Sequence, residues 1–189
     1  KGSNYLEALA TADTVVFDKT GTLTRGTFTV TALHPAEGFT EQQLLEAAAL
    51  AESYSDHPIS LSLKAAWGKE MDSARVTDVE EIAGHGVRAK VDGKTVCAGN
   101  SRLMENAGAA WHPCEQPGTI IHITVDSLYA GHIIISDLPK EDAAAAITDL
   151  KQSGIRKTIL LTGDTHATAA AVARALGVDE FHAELLPQH

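Results

Sequence analysis

Thr14-Val15-Val16-Phe17 is a β-branched, apolar run that stops at Asp18 and gives way to the turn residues Lys19-Thr20-Gly21-Thr22. A short apolar run bounded by turn chemistry reads as a buried strand, and this one delivers Asp18 to its C-terminal edge. The same pattern recurs at Thr158-Ile159-Leu160-Leu161, ending in Thr162-Gly163-Asp164, with a helix predicted over 166–176 and closed by Gly177 as a left-handed cap. Before it, a strand at 130–135 leads to a helix with Pro139 in its first turn, Glu141 and Asp142 nearby and Gly154 past its end. Strand, helix, strand, helix predicts a parallel sheet covered on both faces. Open α/β sheets gather ligands at the carboxyl edges of their strands, which makes Asp18 a candidate nucleophile or metal ligand. Taken alone, an Asp-x-x-Gly is equally a turn cap.

The middle of the chain has a different texture. Thr40 to Ser53 carries a Thr-x-x-Gln capping box (Thr40, Gln43) and apolar Leu44, Leu45, Ala48 and Ala51, an amphipathic helix. Pro58 opens a second helix through about Trp67. Val87, Ala89 and Val91 alternate into the turn Asp92-Gly93 and out through Thr95-Val96-Cys97, which predicts a hairpin. Asn100 or Ser101 caps a short helix ending at Gly108, and 119–125 with 129–135 form another strand pair. The fold class is therefore α/β with an inserted α+β, antiparallel-sheet domain: 1–26 and 133–189 form one body, 27–132 the insert. Gly26 and Ser136-Asp137 are the expected crossing points.

The 189 residues are 44% hydrophobic and 21% charged, an ordinary globular composition. Asp plus Glu number 25 against 15 Lys plus Arg, a net charge of -10, and no basic run occurs, so no nucleic-acid partner is expected. Cys97 and Cys114 lack the spacing of a disulfide framework or zinc knuckle. No apolar run reaches the roughly 18 residues of a membrane span. The start, Lys1-Gly2-Ser3-Asn4, is neither an initiator methionine nor a signal peptide, so the chain is expected to be a soluble, monomeric segment of something longer.

The string Asp18-Lys19-Thr20-Gly21-Thr22-Leu23-Thr24 is identical to the phosphorylation motif of P-type ATPases, members of the haloacid-dehalogenase-like superfamily. The resemblance spans essentially the whole chain. Thr162-Gly163-Asp164 matches that family's second phosphate-site motif, with Thr165 where Asn is usual, and Asp137, Pro139 and Lys140 resemble the return from the inserted domain. Ser55-Asp56-His57-Pro58 with Glu52, Gly84-His85-Gly86-Val87, and Gly99-Asn100 resemble the His-Pro and glycine motifs of the heavy-metal-transporting branch. The wording around Tyr129 to Lys140 and Ala183 to Pro187 is most similar to its zinc, cadmium and lead exporters.

The resemblance implies a Rossmannoid phosphorylation domain with a nucleotide-binding insert, using ATP and Mg²⁺. Asp18 would accept the γ-phosphoryl group and ligate Mg²⁺ together with the backbone carbonyl of Thr20, hard oxygen donors suited to that ion. Thr162 and Gly163 would hold phosphoryl oxygens, and Asp164 would orient their loop. In the family the side chain at Lys19 is not the phosphate-neutralising lysine. Haloacid-dehalogenase phosphatases carry a second Asp where Thr20 stands; its replacement implies an aspartyl phosphate that persists. In the insert, Glu52, His57, Gly84, Gly86, Gly99 and Asn100 would recognise adenine, with Glu52 accepting from the exocyclic amine. Partners would be ATP and the parent's own transmembrane and actuator domains, at the cytoplasmic face of a membrane.

His34, His112, His122, His132, His166, His182 and His189 show no metal-ligand spacing and are expected to be scattered. The family's Leu-Pro-x-x-Lys pattern begins at Leu186-Pro187 and the chain ends at His189, so the 189 residues are expected to bind nucleotide without turning it over. A soluble phosphatase of the same superfamily and a non-catalytic nucleotide-binding module are the alternatives.

Overall fold

The computed structural model describes residues 11–185; Leu186-Pro187 and His189 lie outside them. The chain divides into two compact units, Lys1–Thr27 with Asp137–His189, and Phe28–Ser136.

In the first unit β1 (Thr14–Asp18) and β8 (Lys157–Leu161) run parallel in register, Thr14 opposite Lys157 and Asp18 opposite Leu161. β9 (Glu180–His182) joins on the far side of β8, giving the order β1-β8-β9. Two helices connect them, α4 (Ala143–Gln152) before β8 and α5 (His166–Leu176) after it. Thr165 caps α5 by accepting from the Thr168 amide, and Gly177 ends it at φ 73°. Leu23, Ala143, Ile147, Leu160, Ala173 and Leu176 form one buried cluster, against which Phe17 and Phe181 pack. Both helices thus share a core on the Phe17 side. Val16, which alternates to the other face of β1, is 53% exposed. Cover on both faces is therefore not met among the described residues.

The second unit is built on a six-stranded sheet in the order β2-β7-β6-β5-β4-β3, from β2 (Thr24–Pro35), β3 (Val76–Ile82), β4 (Gly86–Val91), β5 (Lys94–Gly99), β6 (Thr119–Val125) and β7 (Leu128–Pro139). The pairings from β3 through β7 are all antiparallel. Asp92 and Gly93, at φ 50° and 79°, make the left-handed turn of the β4–β5 hairpin. α1 (Glu41–Ala51), whose Thr40–Gln43 capping box is formed in both directions, and α2 (Pro58–Trp67) bury Leu44, Ala48, Leu50 and Leu63 against Ala89, Val96, Ala98, Ile123 and Ile133. α3 (Ser101–Asn106) packs Leu103 and Met104 on Cys97, the alternate residue of β5.

Two sequence readings need correction. Of the two readings of 130–135, the strand pair with 119–125 holds, from Ile135 opposite Thr119 to Leu128 opposite Val125, and a place in the parallel sheet does not. A boundary between the bodies at 133 falls inside that ladder, whereas the expected crossing at Ser136-Asp137 coincides with the division between the units.

Candidate functional site

The first unit's candidates lie on one sheet edge. Because β1 and β8 are parallel and in register, the chain leaves both strands on the same side, with Asp18 opposite the residue before Thr162. Asp18 is exposed, and among the described residues its carboxylate has no hydrogen-bond or ion-pair partner. The Lys19–Leu23 loop that follows is not helical: Thr20 is extended (φ -74°, ψ 123°) and Gly21 left-handed (φ 75°). That reversal needs a residue free of a Cβ penalty.

Opposite it, Thr162 is buried, its amide donating to the His182 carbonyl at 3.0 Å and its hydroxyl accepting from the Asp164 amide at 3.1 Å. Glu184 and Leu185 donate back to the Asp164 and Thr162 carbonyls, so the Thr162-Gly163-Asp164 loop is held at both ends. The Asp164 carboxylate pairs with Lys19, whose side chain is nearly fully buried. The ammonium of Lys19 is thereby committed to fixing one loop against the other, the role that its position beside Asp18 left open. A second carboxylate, the buried Asp137, accepts from the Thr24 hydroxyl at 2.5 Å and the Gly26 amide at 2.9 Å, while Lys140 donates to the Gly21 carbonyl at 3.0 Å.

In the second unit a cavity of about 310 Å³ is lined by Glu52, His57, Gly84, Gly86, Gly99 and Asn100, all six candidates drawn from the insert. Antiparallel register puts Gly86 directly opposite Gly99. A Cβ on Gly86 would lie 2.2 Å from the Ala98 carbonyl oxygen, and one on Gly99 2.1 Å from that of His85, so the wall is bare backbone by necessity. Asn100 locks this corner: its amide donates to the Gly84 carbonyl at 2.8 Å and its Oδ1 accepts from the Leu103 amide, capping α3.

His57 caps α2 through Nδ1, which accepts from the Ile59 amide at 3.2 Å. An accepting Nδ1 leaves the proton of the neutral ring on Nε2, as a donor. Glu52, 7% exposed, is held above the usual carboxylate range by burial, an effect that Ser60, His57 and Lys64 oppose. Ile82, Val87, Ile120 and Ile121 supply apolar walls. Ser55 entered the sequence reading only as part of the His-Pro motif, and Ser60 and the Thr119–Ile121 edge, which also line the cavity, were missed; a serine in the first turn of a helix carries no distinguishing signal.

Four of the seven histidines expected to be scattered, His34, His112, His122 and His132, come together. His122 and His132 are cross-strand partners, each with Nδ1 on the Tyr129 hydroxyl at 2.8 and 3.2 Å, His34 packs on His132 at 4.8 Å between centroids, and His112 meets Tyr129 edge-on. Register across three neighbouring strands gathers them. Burial and the neighbouring His132 push His122 down to about 4. Among the described residues no group of three or more His, Cys, Asp or Glu side chains is arranged to hold a metal ion, and no helix is long and apolar enough to cross a membrane.

A parallel sheet with an exposed aspartate at its carboxyl edge, interrupted by an antiparallel domain with its own cavity, defines an α/β protein carrying an α+β insertion. The chain belongs to the haloacid dehalogenase-like hydrolase family, whose profile matches residues 12–188. It is 55% identical over 188 residues to the cadmium, zinc and cobalt-transporting ATPase of Bacillus subtilis, a match covering 100% of this chain and 27% of that protein. The crystal structure of a zinc-transporting PIB-type ATPase in the E2.Pi state superposes with a TM-score of 0.80 at 33% identity, covering 100% of this chain and 32% of the other. The catalytic domain of the CPx-ATPase CopB-B, described for its conformational changes upon nucleotide binding, matches with a TM-score of 0.73 at 28% identity, over 100% of this chain and 67% of that one. The chain thus spans about a quarter of the length of the curated relative.

Proposed function

We propose that the chain is the ATP-binding and phosphorylation segment of a heavy-metal-exporting P-type ATPase, acting at the cytoplasmic face of the membrane that its parent's other domains occupy. The observation that carries this reading is an exposed Asp18 carboxylate, unpartnered among the described residues, on the same sheet edge as the Thr162-Gly163-Asp164 loop. A carboxylate oxygen of Asp18 attacks the γ-phosphorus of ATP, the bond from that phosphorus to the bridging oxygen breaks, and ADP leaves with the electron pair. The Thr162 hydroxyl and the Gly163 amide hold phosphoryl oxygens. Asp164, fixed by Lys19, keeps that loop in place. Asp18 and the Thr20 carbonyl are the oxygen donors for Mg²⁺, which when bound offsets the charge of the meeting anions. Thr20 brings no carboxylate that could activate water, so the acyl phosphate outlives its formation.

The cavity of the second unit suits a nucleobase. Its volume falls at the lower end of small-ligand pockets, its wall is glycine backbone and isoleucine, and a carboxylate and an N–H donor sit at its rim. Glu52 accepts from the exocyclic amine of adenine, and His57 Nε2 donates.

The test is phosphorylation of the parent ATPase by γ-labelled ATP. Asp18→Asn abolishes acid-stable labelling, a loss of about a thousandfold or more, while Glu52→Ala raises the ATP concentration needed to reach it. Labelling that persists in Asp18→Asn would sink the assignment.

A further inference from the structure

Four polar groups beside the cavity form a connected chain centred on the Ser60 hydroxyl. The Ser60 hydroxyl lies 2.7 Å from Glu52 Oε2, the Ser55 and Ser60 hydroxyls are 3.0 Å apart, and the His57 amide donates to the Ser55 hydroxyl at 3.3 Å. A backbone N–H only donates and an ionised carboxylate only accepts. Ser60 has a single proton, which the carboxylate at 2.7 Å holds in preference to the Ser55 hydroxyl at 3.0 Å; Ser55 accepts from Ser60 and from the His57 amide. The contacts thus run from Glu52 through Ser60 and Ser55 to the His57 backbone. Ser60 is 1% exposed, so solvent does not replace a lost member at that point. Lys64 pins the loop from outside by donating to the Ser55 carbonyl at 2.8 Å and the Ser53 carbonyl at 3.3 Å.

We propose that Ser60 and Ser55 are positioning residues for the nucleobase: they join the carboxylate of Glu52 and the backbone of His57 into one rigid reader. Ser60 occupies Oε2, which leaves Oε1 as the oxygen presented to the base. This inference rests on the nucleotide reading of the cavity and deepens it. An ionised carboxylate with one oxygen committed accepts from the amine of adenine and repels the O6 carbonyl of guanine. The device is therefore one of base selectivity as well as affinity. Glu81 lines the same cavity and adds like charge near Glu52, while His57 and Lys64 oppose it. Without Ser60 the carboxylate is free to turn, and the preference for adenine goes with its orientation.

The experiment titrates ATP and GTP separately onto the full 189-residue chain by calorimetry. Ser60→Ala weakens ATP about tenfold, as expected for loss of a hydrogen bond to a charged group, and leaves GTP within about twofold, so the preference for ATP collapses. Ser60→Thr, which keeps the hydroxyl, restores most of that preference. Ser55→Ala, at the partly exposed end of the chain, weakens ATP about threefold and serves in place of Ser60→Ala if that variant does not fold. Equal losses for ATP and GTP would mean a purely structural role and overturn the proposal. Wild-type ATP binding in Ser60→Ala, together with a loss in Glu52→Ala, would overturn the positioning role while keeping the cavity as the nucleotide site. Unchanged ATP binding in Glu52→Ala would remove the nucleotide reading and this inference together.

Discussion

The two units assemble their candidate sites by opposite routes. In the first, every side chain at issue lies within a few residues of the end of β1 or β8, and the parallel register of those two strands alone brings Asp18 beside Thr162. In the second, the cavity draws on separate stretches around residues 52–60, 84–87, 99–100 and 119–121, which only the ladder of β4, β5 and β6 and the packing of α1 and α2 hold together. Their cores differ in the same sense. Among the described residues the first unit has a cluster of six buried residues and the second one of fourteen. Loops at strand ends can be reset by a ligand at small cost, whereas a pocket made by register is present before the ligand arrives.

The comparison breaks most decisively at the glycine wall. Gly99→Ala forces a Cβ against the His85 carbonyl and the Leu103 side chain, and is expected to destabilise the second unit by about 3 kcal/mol. Amide exchange should show this in β4 and β5 while the amides of β8 keep their protection. Equal loss in both would mean that the units do not unfold separately.

Next comes pH. His122 is held neutral at a value well below its unfolded one of 6.5, so the unfolded chain takes up a proton first as pH falls. The contribution is fully present above pH 6.5 and is lost between there and about pH 4, on the order of 2 to 3 kcal/mol, and the loss should appear in the second unit. His122→Phe flattens that slope in a urea-melt series.

Smaller still is Lys19→Met, which strands a carboxylate that is only partly buried; about 1 to 2 kcal/mol of the first unit's stability goes with it, read from exchange at Thr162 and Leu161. Arg25→Ala removes a pair with the largely exposed Glu141, and its effect on the same amides stays within about 0.5 kcal/mol.

What could be read in advance follows from range along the chain. Asp18, the Asp92-Gly93 turn, the Thr40 capping box and the His57-Pro58 helix start are local chemistry, and each is where its residues predicted. β2 is less legible because most of its residues are exposed and its apolar alternation, Phe28-Thr29-Val30-Thr31-Ala32, is short and threonine-rich. β3 escaped notice because it carries Asp78, Glu80 and Glu81 and a bulge between Thr77 and Glu80. For the strand around 130–135 the sequence offered both its neighbour at 119–125 and a place in the parallel sheet, a choice that only pairing makes, and it falls to the neighbour. The same limit hid the histidine cluster, which exists only because β2, β7 and β6 are adjacent, and Ser60, whose meaning lies in a carboxylate eight residues earlier, across the link between two helices.

Gly86 facing Gly99 has an evolutionary corollary. A surface made of main chain offers selection nothing to trim and no room for addition, so this part of the cavity can change only by being ruined. Descendants that come to prefer another ligand must therefore do so through the hydroxyls and the carboxylate at the rim, and drift in such a lineage should accumulate there while the paired glycines stay as they are.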